Sequence, residues 1–325
     1  MRYPIEQPPP FAVQIELTEG CNLRCPFCAI SSIRTSQSIY KFLTVENARR
    51  IADGIGDAGW TPRIEFGMHG EPTINPNCCE IIYIFRRRLP GSLMLLESNG
   101  TGFASNTISR LFDAFAAGLD NLAIEDYRHA KMCARIRSRA SEHPVDFSEV
   151  GVFIYDYPRD PEGNPHRRGK NKKLIFLADP TVAKIGTHSQ VHNSAGLAKP
   201  PLTRPPTTRC AKPFRELAIR WDGNVALCCN DWRGWYKIGN VLQTPVEELW
   251  QHSAFNAARL KLYHGQRDFG PCNGCDARSY RVGLLPDKFG KAKLPEPDDG
   301  TLRTIKRALS GGTYTLPVLR EWEES

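Results

Sequence analysis

The chain has 325 residues, of which 41% are hydrophobic and 24% are charged, and its formal net charge is +8. This composition is ordinary for a globular protein, and the length allows one large domain or two modest ones. No apolar run reaches the roughly 18 residues that predict a membrane span. The proline-rich start of the chain also lacks the apolar stretch of a secretory signal, so we expect a cytoplasmic protein with no membrane partner.

The positive charge is concentrated in residues 128–215, which hold 17 Lys and Arg against 7 Asp and Glu. Its densest part is the segment 159–173, which ends in the run Arg-Arg-Gly-Lys-Asn-Lys-Lys. A patch of this kind attracts phosphate, nucleic acid or an acidic peptide. A solvated loop has the same composition, so this basic segment by itself does not predict a nucleic-acid site.

Strand-like and helix-like patterns alternate through the first 125 residues. In the segment 45–58 the apolar side chains share one helical face, and Thr44 can cap its N-terminus. Pro90 ends a second helical segment, and Gly118 ends a third that contains Phe115. In chain order, the predicted strands cover 11–17, 63–66, 93–97 and 119–124, and the first two predicted helices cover 45–58 and 79–89.

This alternation predicts a parallel sheet with helices outside it, which is the α/β class. Ligands in such folds gather at the carboxyl ends of the strands, where we expect the loops after the first three strands to converge. Beyond residue 126 the pattern weakens. It predicts a basic helix over 129–140, strands near 150–155 and 174–177, a proline-rich linker over 199–208 and a second cysteine-bearing module that ends near Cys275.

Cys21, Cys25 and Cys28 lie in one short loop directly after the first predicted strand. Three thiolates cannot complete a tetrahedral structural zinc site by themselves. They can hold three irons of a cubane 4Fe–4S cluster and leave the fourth iron open for a small ligand. The alternatives are a zinc site with a distant fourth ligand, or ordinary buried cysteines. Because the 11 cysteines are grouped at metal-like spacings in a chain without an export signal, a reducing compartment is expected.

The spacing C-x3-C-x2-C, with Phe27 before the last cysteine, resembles the signature of the radical S-adenosylmethionine (SAM) enzymes. Gly70, Glu71 and Pro72 resemble the glycine–glycine–glutamate motif of that superfamily, which contacts the amino group of bound SAM. Only a small residue lets the backbone approach a ligand closely, and a glutamate supplies a negative partner for an ammonium group. His69 stands where the first glycine is usual, either as a variation or as a side chain that reaches into the site.

Ser98 and Asn99 resemble the segment after the third strand that touches the ribose and the methionine carboxylate of SAM. The resemblance further implies that Phe27 contacts adenine and that the fold is a partial (β/α)6 barrel. It also implies a reaction in which a reduced cluster cleaves SAM to methionine and a 5′-deoxyadenosyl radical, which removes a hydrogen atom from the substrate. The protein then positions the substrate carbon and excludes water.

Cys210, Cys228, Cys272 and Cys275 form a second constellation, which resembles the auxiliary-cluster modules of SPASM and twitch proteins. The resemblance implies the shorter twitch form with one fully ligated 4Fe–4S cluster, because no cysteine follows Cys275. Four thiolates also suit a structural zinc ion. The spacing favours Cys228 over its neighbour Cys229 as the ligand. The predicted domains are an extension over 1–12, the core barrel over 13–198, an α+β auxiliary module over 199–275 and a tail over 276–325.

Three carboxylates are candidates for catalysis. Glu125 and Asp126 end the fourth predicted strand, where related enzymes place polar residues that face the radical. A solvent-facing pair that caps the next helix is the alternative. Asp231 follows Cys228 and Cys229, where a twitch dehydrogenase needs a base for a substrate hydroxyl.

The sequence thus predicts a radical SAM oxidoreductase with two 4Fe–4S clusters and a flavodoxin- or ferredoxin-type electron donor. The auxiliary cluster is expected to accept an electron during a net oxidation. The basic segment favours a small anionic or nucleotide-like substrate. A ribosomal peptide ranks second, because only twenty residues precede Cys21 and a leader-recognition domain is therefore not expected. The remaining alternatives are radical isomerisation or bond formation on a modified nucleoside, and a non-enzymatic zinc protein that binds nucleic acid.

Overall fold

The structure is a computed structural model that describes residues 5–25, 28–33, 40–104, 109–126, 131–142, 146–157, 159–177, 193–198, 202–277 and 314–315. Within these ranges the chain forms one eight-stranded sheet and two small two-stranded pairings, Thr18–Glu19 with Lys41–Phe42 and Ile5–Glu6 with Tyr314–Thr315. None of the helices in these ranges is long and apolar enough to cross a membrane.

The central sheet is almost entirely parallel, as the alternating sequence pattern predicts for an α/β fold. In chain order its strands are β1 (Ala12–Glu16), β2 (Arg63–Gly67), β3 (Met94–Ser98), β4 (Asn121–Ile124), β5 (Val152–Asp156), β6 (Lys172–Phe176), β7 (Glu216–Ile219) and β8 (Val225–Ala226). Their spatial order is β8-β7-β1-β2-β3-β4-β6-β5, and only β7 and β8 run antiparallel.

The helices follow the strands along the chain, and the predicted ones are confirmed. The longest begins at the predicted cap, where the Thr44 hydroxyl accepts the Asn47 amide at 3.1 Å. The helices are α1 (Ile30–Ile33), α2 (Val45–Asp57), α3 (Cys78–Arg88), α4 (Thr101–Ala104), α5 (Ser109–Ala116), α6 (Lys131–Ser141), α7 (Lys212–Arg215), α8 (Val246–Trp250) and α9 (Ser253–Tyr263).

The two faces of the sheet differ in polarity, because successive side chains of a strand point to opposite faces. On β2, Ile64 and Phe66 join the apolar core, where the Phe66 ring meets Phe85 of α3 edge to face with centroids 5.4 Å apart. Arg63 and Glu65, at the alternate positions, form a buried ion pair. One face of the sheet therefore packs against helices, and the other carries polar groups.

The order of the last two core strands departs from their order in the sequence. β6 lies between β4 and β5, so β5 forms the edge of the sheet. The side chains of Leu174, Ile175 and Phe176 on β6 are almost fully buried, whereas Phe153 and Ile154 on β5 are 39% and 38% exposed. A strand that is apolar on both faces belongs between two neighbours, and a partly exposed one belongs at the edge.

The C-terminal part of the chain contributes β7 to the same sheet. Glu216 lies opposite Ala12, and Ile219 lies opposite Ile15, in parallel register. The cysteine-bearing C-terminal part is thus joined to the first strand of the core by backbone hydrogen bonds. The division of the chain into domains stays a prediction.

Candidate functional site

The three cysteines of the first motif lie in the loop that follows β1. The Cys28 amide donates to the Cys25 carbonyl oxygen at 3.0 Å, and the Cys21 sulfur accepts the Leu23 amide at 3.3 Å. Burial, together with the charges of the nearby Cys21 and Cys25, raises the pKa of Cys28 to about 11. Thiols placed in this way ionise together when a metal cation neutralises them. The donor set fits an iron–sulfur cluster held by these three sulfurs.

Gly70 brings the loop after β2 into backbone contact with the loop after β1. Gly20 and Gly70 form a parallel bridge, and the Glu71 amide donates to the Gly20 carbonyl oxygen at 2.9 Å. A Cβ atom at Gly70 would lie 2.2 Å from the Thr18 carbonyl oxygen and 2.4 Å from the Gly20 carbonyl oxygen. The missing side chain therefore makes room for the backbone of the chain itself, directly before Cys21.

The buried carboxylate of Glu71 joins the loops after β2 and β3. Its Oε1 atom accepts the Thr73 amide at 3.1 Å and the Ser98 hydroxyl at 2.7 Å, and its Oε2 atom accepts the Asn99 amide at 2.8 Å. The Asn99 side chain then donates to the Asn22 side-chain oxygen, in the cysteine loop, at 3.0 Å. These residues form one hydrogen-bonded unit beside the cysteines, and their contacts with bound SAM stay a prediction.

A cavity opens at the carboxyl ends of β1 to β4, where the sequence predicts that the loops converge. Pro72 is buried at the start of the 3-10 turn Pro72–Ile74 and does not line this cavity. Phe27 lies outside the described residues. Of the residues proposed from the sequence, the lining contains Cys21, Cys25, Cys28, Gly70, Glu71, Ser98, Asn99 and Glu125.

The lining also contains His69, Glu97 and Trp232. The role of His69 is left open by the sequence, and the other two give no motif signal. Glu97 falls inside the apolar run 93–97, which predicts only a buried strand. The one signal for Glu97 in the sequence is that it is the only charged residue of this run. Successive side chains of a strand point to opposite faces, so a charged side chain at this position points away from the apolar core. Trp232 lies in a loop without any periodic pattern.

Glu97 and Glu125 are carboxyl groups with raised pKa values. Burial, with the charges of Glu125 and Glu65 and against the opposing effect of Arg63, raises the pKa of Glu97 to about 8. Burial also raises the pKa of Glu125 to about 7, with a smaller contribution from Glu71. Within the ranges that the structure describes, Glu97 makes no hydrogen bond or ion pair. Carboxyl groups that titrate near neutrality can both accept and donate a proton.

The other two proposed carboxylates do not line the cavity. Asp126 accepts the Cys133 amide of α6 at 2.8 Å, which supports the helix-capping alternative for this residue. Asp231 is fully buried, and its two oxygens accept the Trp235 amide at 2.8 Å and the Tyr236 amide at 3.1 Å. Asp231 therefore organises its own loop, and no contact in the described chain supports it as a base.

Cys210, Cys228, Cys272 and Cys275 are all buried. Burial raises the pKa of Cys228 well above its ordinary value, and charges on Cys229, Cys272 and Cys210 raise it further. The charges of Cys210 and Cys275 likewise raise the pKa of Cys272. The four thiols therefore share one site. Among the described residues, no three His, Cys, Asp or Glu side chains are arranged to hold a metal ion. Four thiols that share one site are the donor set of a fully ligated iron–sulfur cluster.

Cys229 belongs to different surroundings. Lys212 Nζ lies 3.3 Å from the Cys229 sulfur and 3.3 Å from Glu216 Oε2. Burial raises the pKa of Cys229, and the charges that act on it come from Lys212, Glu216 and Glu65. This arrangement supports Cys228 as the ligand of the second site.

Two family descriptions match the chain, the radical SAM superfamily over residues 15–129 and the SPASM iron–sulfur cluster-binding domain over residues 210–276. The first match contains the cysteine loop and the loops that meet it, and the second contains the other four cysteines. The chain belongs to the radical SAM superfamily. Radical SAM and SPASM domains imply SAM and iron–sulfur clusters as cofactors, which counts against the alternative of a non-enzymatic zinc protein.

This radical SAM protein is similar to the S-adenosyl-L-methionine-dependent 2-deoxy-scyllo-inosamine dehydrogenase of Niallia circulans. The identity is 17% over 271 residues, which cover 81% of the chain and 92% of the relative. The crystal structure of BtrN in complex with AdoMet and 2-DOIA matches with a TM-score of 0.62 at 18% identity, and covers 86% of this chain and 97% of BtrN. An open conformation of BtrN gives a TM-score of 0.55 at 15% identity, over 83% and 94% of the two chains. These structures establish a shared fold.

We expect Gly70→Ala to displace the cysteine loop, because the added methyl group would lie 2.2 Å from a backbone oxygen that cannot rotate away. The measurement is iron bound per chain after anaerobic reconstitution, and we expect the loss of roughly half of it. Gly54→Ala on α2 is the control, since a Cβ atom there meets nothing within 4 Å. A full iron content in the Gly70 variant would contradict the assigned role of this glycine.

We expect Glu97→Gln to flatten the pH dependence of folding stability in the protein without cofactors. The pKa of Glu97 rises from its ordinary 4.5 to about 8 in the folded chain. Between these values the folded state holds a proton that the unfolded chain has released, so the unfolding free energy falls as the pH rises, by up to about 1.4 kcal/mol per pH unit. Gln removes this contribution.

Urea denaturation at several pH values between about 5 and 8 measures this effect. Glu46→Gln is the control, because Glu46 is an exposed acid on α2. Parallel pH profiles for the Glu97 variant and the unsubstituted protein would show that Glu97 does not hold its proton in the folded state.

Proposed function

We propose that this radical SAM protein oxidises a small molecule that carries hydroxyl or amino groups. The proposal assigns one 4Fe–4S cluster to Cys21, Cys25 and Cys28, and a second to Cys210, Cys228, Cys272 and Cys275. The observation that carries it is the composition of the cavity wall. The cysteines of the first motif line the cavity, and so does Trp232, which follows Cys228 closely in the loop of the second site.

A substrate in this cavity would lie between the two cysteine sites. Oxidation removes two electrons, whereas isomerisation returns both, so an electron acceptor beside the cavity favours oxidation. The dehydrogenase relative supports the same reaction type. A flavodoxin- or ferredoxin-type protein is the proposed external electron donor.

When bound, SAM and the two clusters supply hydrogen-atom abstraction from a C–H bond and acceptance of the second electron. The side chains of the protein do the rest. Cys21, Cys25 and Cys28 would hold the cluster that binds SAM, and the hydrogen bonds of Glu71 with Ser98 and Asn99 fix the loops beside these cysteines. Glu97 takes up the proton that a hydroxyl group releases as its carbon becomes a carbonyl carbon. A pKa near neutrality suits a group that must accept this proton and later release it.

The charge of the cavity favours a neutral or cationic substrate over the anionic one that the basic segment suggests. Glu71, Glu97 and Glu125 line the cavity. Arg168 of the basic segment lines a different cavity, beside Arg63 at the amino end of β2. Arg168 therefore lies away from the cysteines, and the carboxyl groups of the cavity repel an anion when they are ionised. The relative acts on 2-deoxy-scyllo-inosamine, which is an amine.

The two adjacent cysteines give a matched pair of variants. We expect the anaerobically reconstituted protein to bind about eight irons per chain, and Cys228→Ser to lose about four of them. Cys229→Ser is the control, which keeps all of them because its thiol faces Lys212. The measurements are iron content and release of 5′-deoxyadenosine with dithionite. Equal iron loss in both variants, or only four irons in the unsubstituted protein, would contradict the assignment.

The substrate class is tested with two polyols of similar size. We expect the reduced protein to oxidise 2-deoxy-scyllo-inosamine in a SAM-dependent reaction, and not to oxidise a myo-inositol phosphate. Mass spectrometry detects a product that has lost two hydrogen atoms, and SAM consumption follows product formation. Preference for the phosphate would overturn the substrate class while leaving the radical SAM chemistry intact. Release of 5′-deoxyadenosine without oxidation of either polyol would also count against the proposed class.

A further inference from the structure

His69 connects the loop after β2 with the loop of the second cysteine site. Its side chain is 1% exposed. Its Nε2 atom lies 2.8 Å from the Cys229 carbonyl oxygen, and its Nδ1 atom lies 2.9 Å from Glu16 Oε1. A carbonyl oxygen can only accept, so Nε2 donates its hydrogen to Cys229. One imidazole thus joins the end of β1, the loop after β2 and the C-terminal part of the chain.

The surroundings of His69 hold the ring in this orientation. The ring of Trp232 lies against it, with centroids 4.5 Å apart and an interplanar angle of 34°. Glu16 is fully buried, and its Oε2 atom accepts the Trp221 amide at 3.2 Å and lies 3.5 Å from Arg220 Nε. This carboxylate lies against the imidazole at Nδ1 and, together with the Trp232 ring, restricts the position of the imidazole.

The carbonyl group that His69 contacts belongs to the residue directly after Cys228. Lys212 lies 3.3 Å from the thiol of the same residue, Cys229. Cys229 is therefore held at its carbonyl group by His69 and at its sulfur by Lys212. With Cys229 held at both ends, Cys228 is the member of the pair that shares the site of Cys272.

We propose that His69 is a positioning residue of the second cluster site, which holds the Cys228–Cys229 peptide in place and raises the reduction potential of the cluster bound there. The inference rests on the proposed function, because it assumes a cluster at the four C-terminal cysteines. Reduction adds negative charge to a cluster, and hydrogen-bond donors nearby favour that charge. Glycine, which is usual at this position in the superfamily pattern, has no side-chain donor.

The test uses the full chain with Cys21, Cys25 and Cys28 replaced by Ala, so that only the second cluster gives a signal. Midpoint potentials and EPR spectra of the reduced cluster are the readouts. We expect His69→Gly to lower the equilibrium constant for reduction about tenfold, which corresponds to about 59 mV for a one-electron couple, and to change the EPR spectrum. His69→Gln keeps an N–H donor for the Cys229 carbonyl group, and we expect it to recover part of the shift.

His166→Gln is the matched control. His166 also lies beside a buried carboxylate, with Nδ1 3.8 Å from Glu65 Oε1, but it lines the cavity at the amino ends of the strands. We expect no change in this variant. An unshifted midpoint and an unchanged spectrum in His69→Gly overturn the inference. If that variant binds no cluster, His69→Phe, which keeps a ring but has no N–H donor, takes its place, and an unshifted midpoint there overturns the inference. Absence of a cluster in the His69-containing background overturns the proposed function instead.

Discussion

The backbone contact between Gly20 and Gly70 sets the position of the whole site. Parallel strands bring their carboxyl ends to one edge, but this arrangement leaves the loops that follow them free to diverge. The bridge between these two glycines removes that freedom directly before Cys21. The next residue, Glu71, continues the connection through its carboxylate to Ser98 and Asn99 after β3. A chain of short contacts thus ties three loops together beside the cysteines, which restricts their positions as the positioning of a reactive group requires.

Local signals in the sequence were sufficient for most of the fold. Thr44 predicts the start of α2 because its hydroxyl can reach the amide three residues later, and the structure confirms that contact. The predicted strands and helices of the first 125 residues agree with the observed ones to within a few residues. The position of β6 between β4 and β5 in the sheet was not predictable in the same way. Periodicity identifies a strand and its buried face, but the choice of neighbours depends on which strand buries both faces.

Spacing groups the cysteines in the sequence itself, whereas the directions of the acidic side chains depend on the fold. Glu125 lines the cavity, but Asp126, its neighbour in the chain, faces α6. Asp231 sits beside a cysteine pair in the sequence, yet backbone amides occupy its oxygens. Glu97 carries no motif and is hidden in an apolar run. The direction of a side chain depends on strand alternation and on loop conformation, and neither can be read from residue type alone.

The location of the positive charge in the fold was also not predictable from the sequence. A net excess of basic residues between 128 and 215 suggests an anionic ligand, because charges near one another in sequence are easily taken as one surface. In the fold, Arg168 lies at the amino ends of the strands, and the cavity beside the cysteines is lined by carboxyl groups. Net charge describes the long-range field of a protein, whereas substrate choice depends on the few groups within contact distance.

The pairing of β7 with β1 has a consequence for how the protein is made. Glu216 and Ala12 are partners in the sheet although about 200 residues separate them. At a synthesis rate of about 5–20 residues per second, roughly 10–40 s pass on the ribosome before β1 can meet this neighbour. During that interval one edge of the first strand lacks its β7 partner, so the amide and carbonyl groups on that side are open to pairing with another chain.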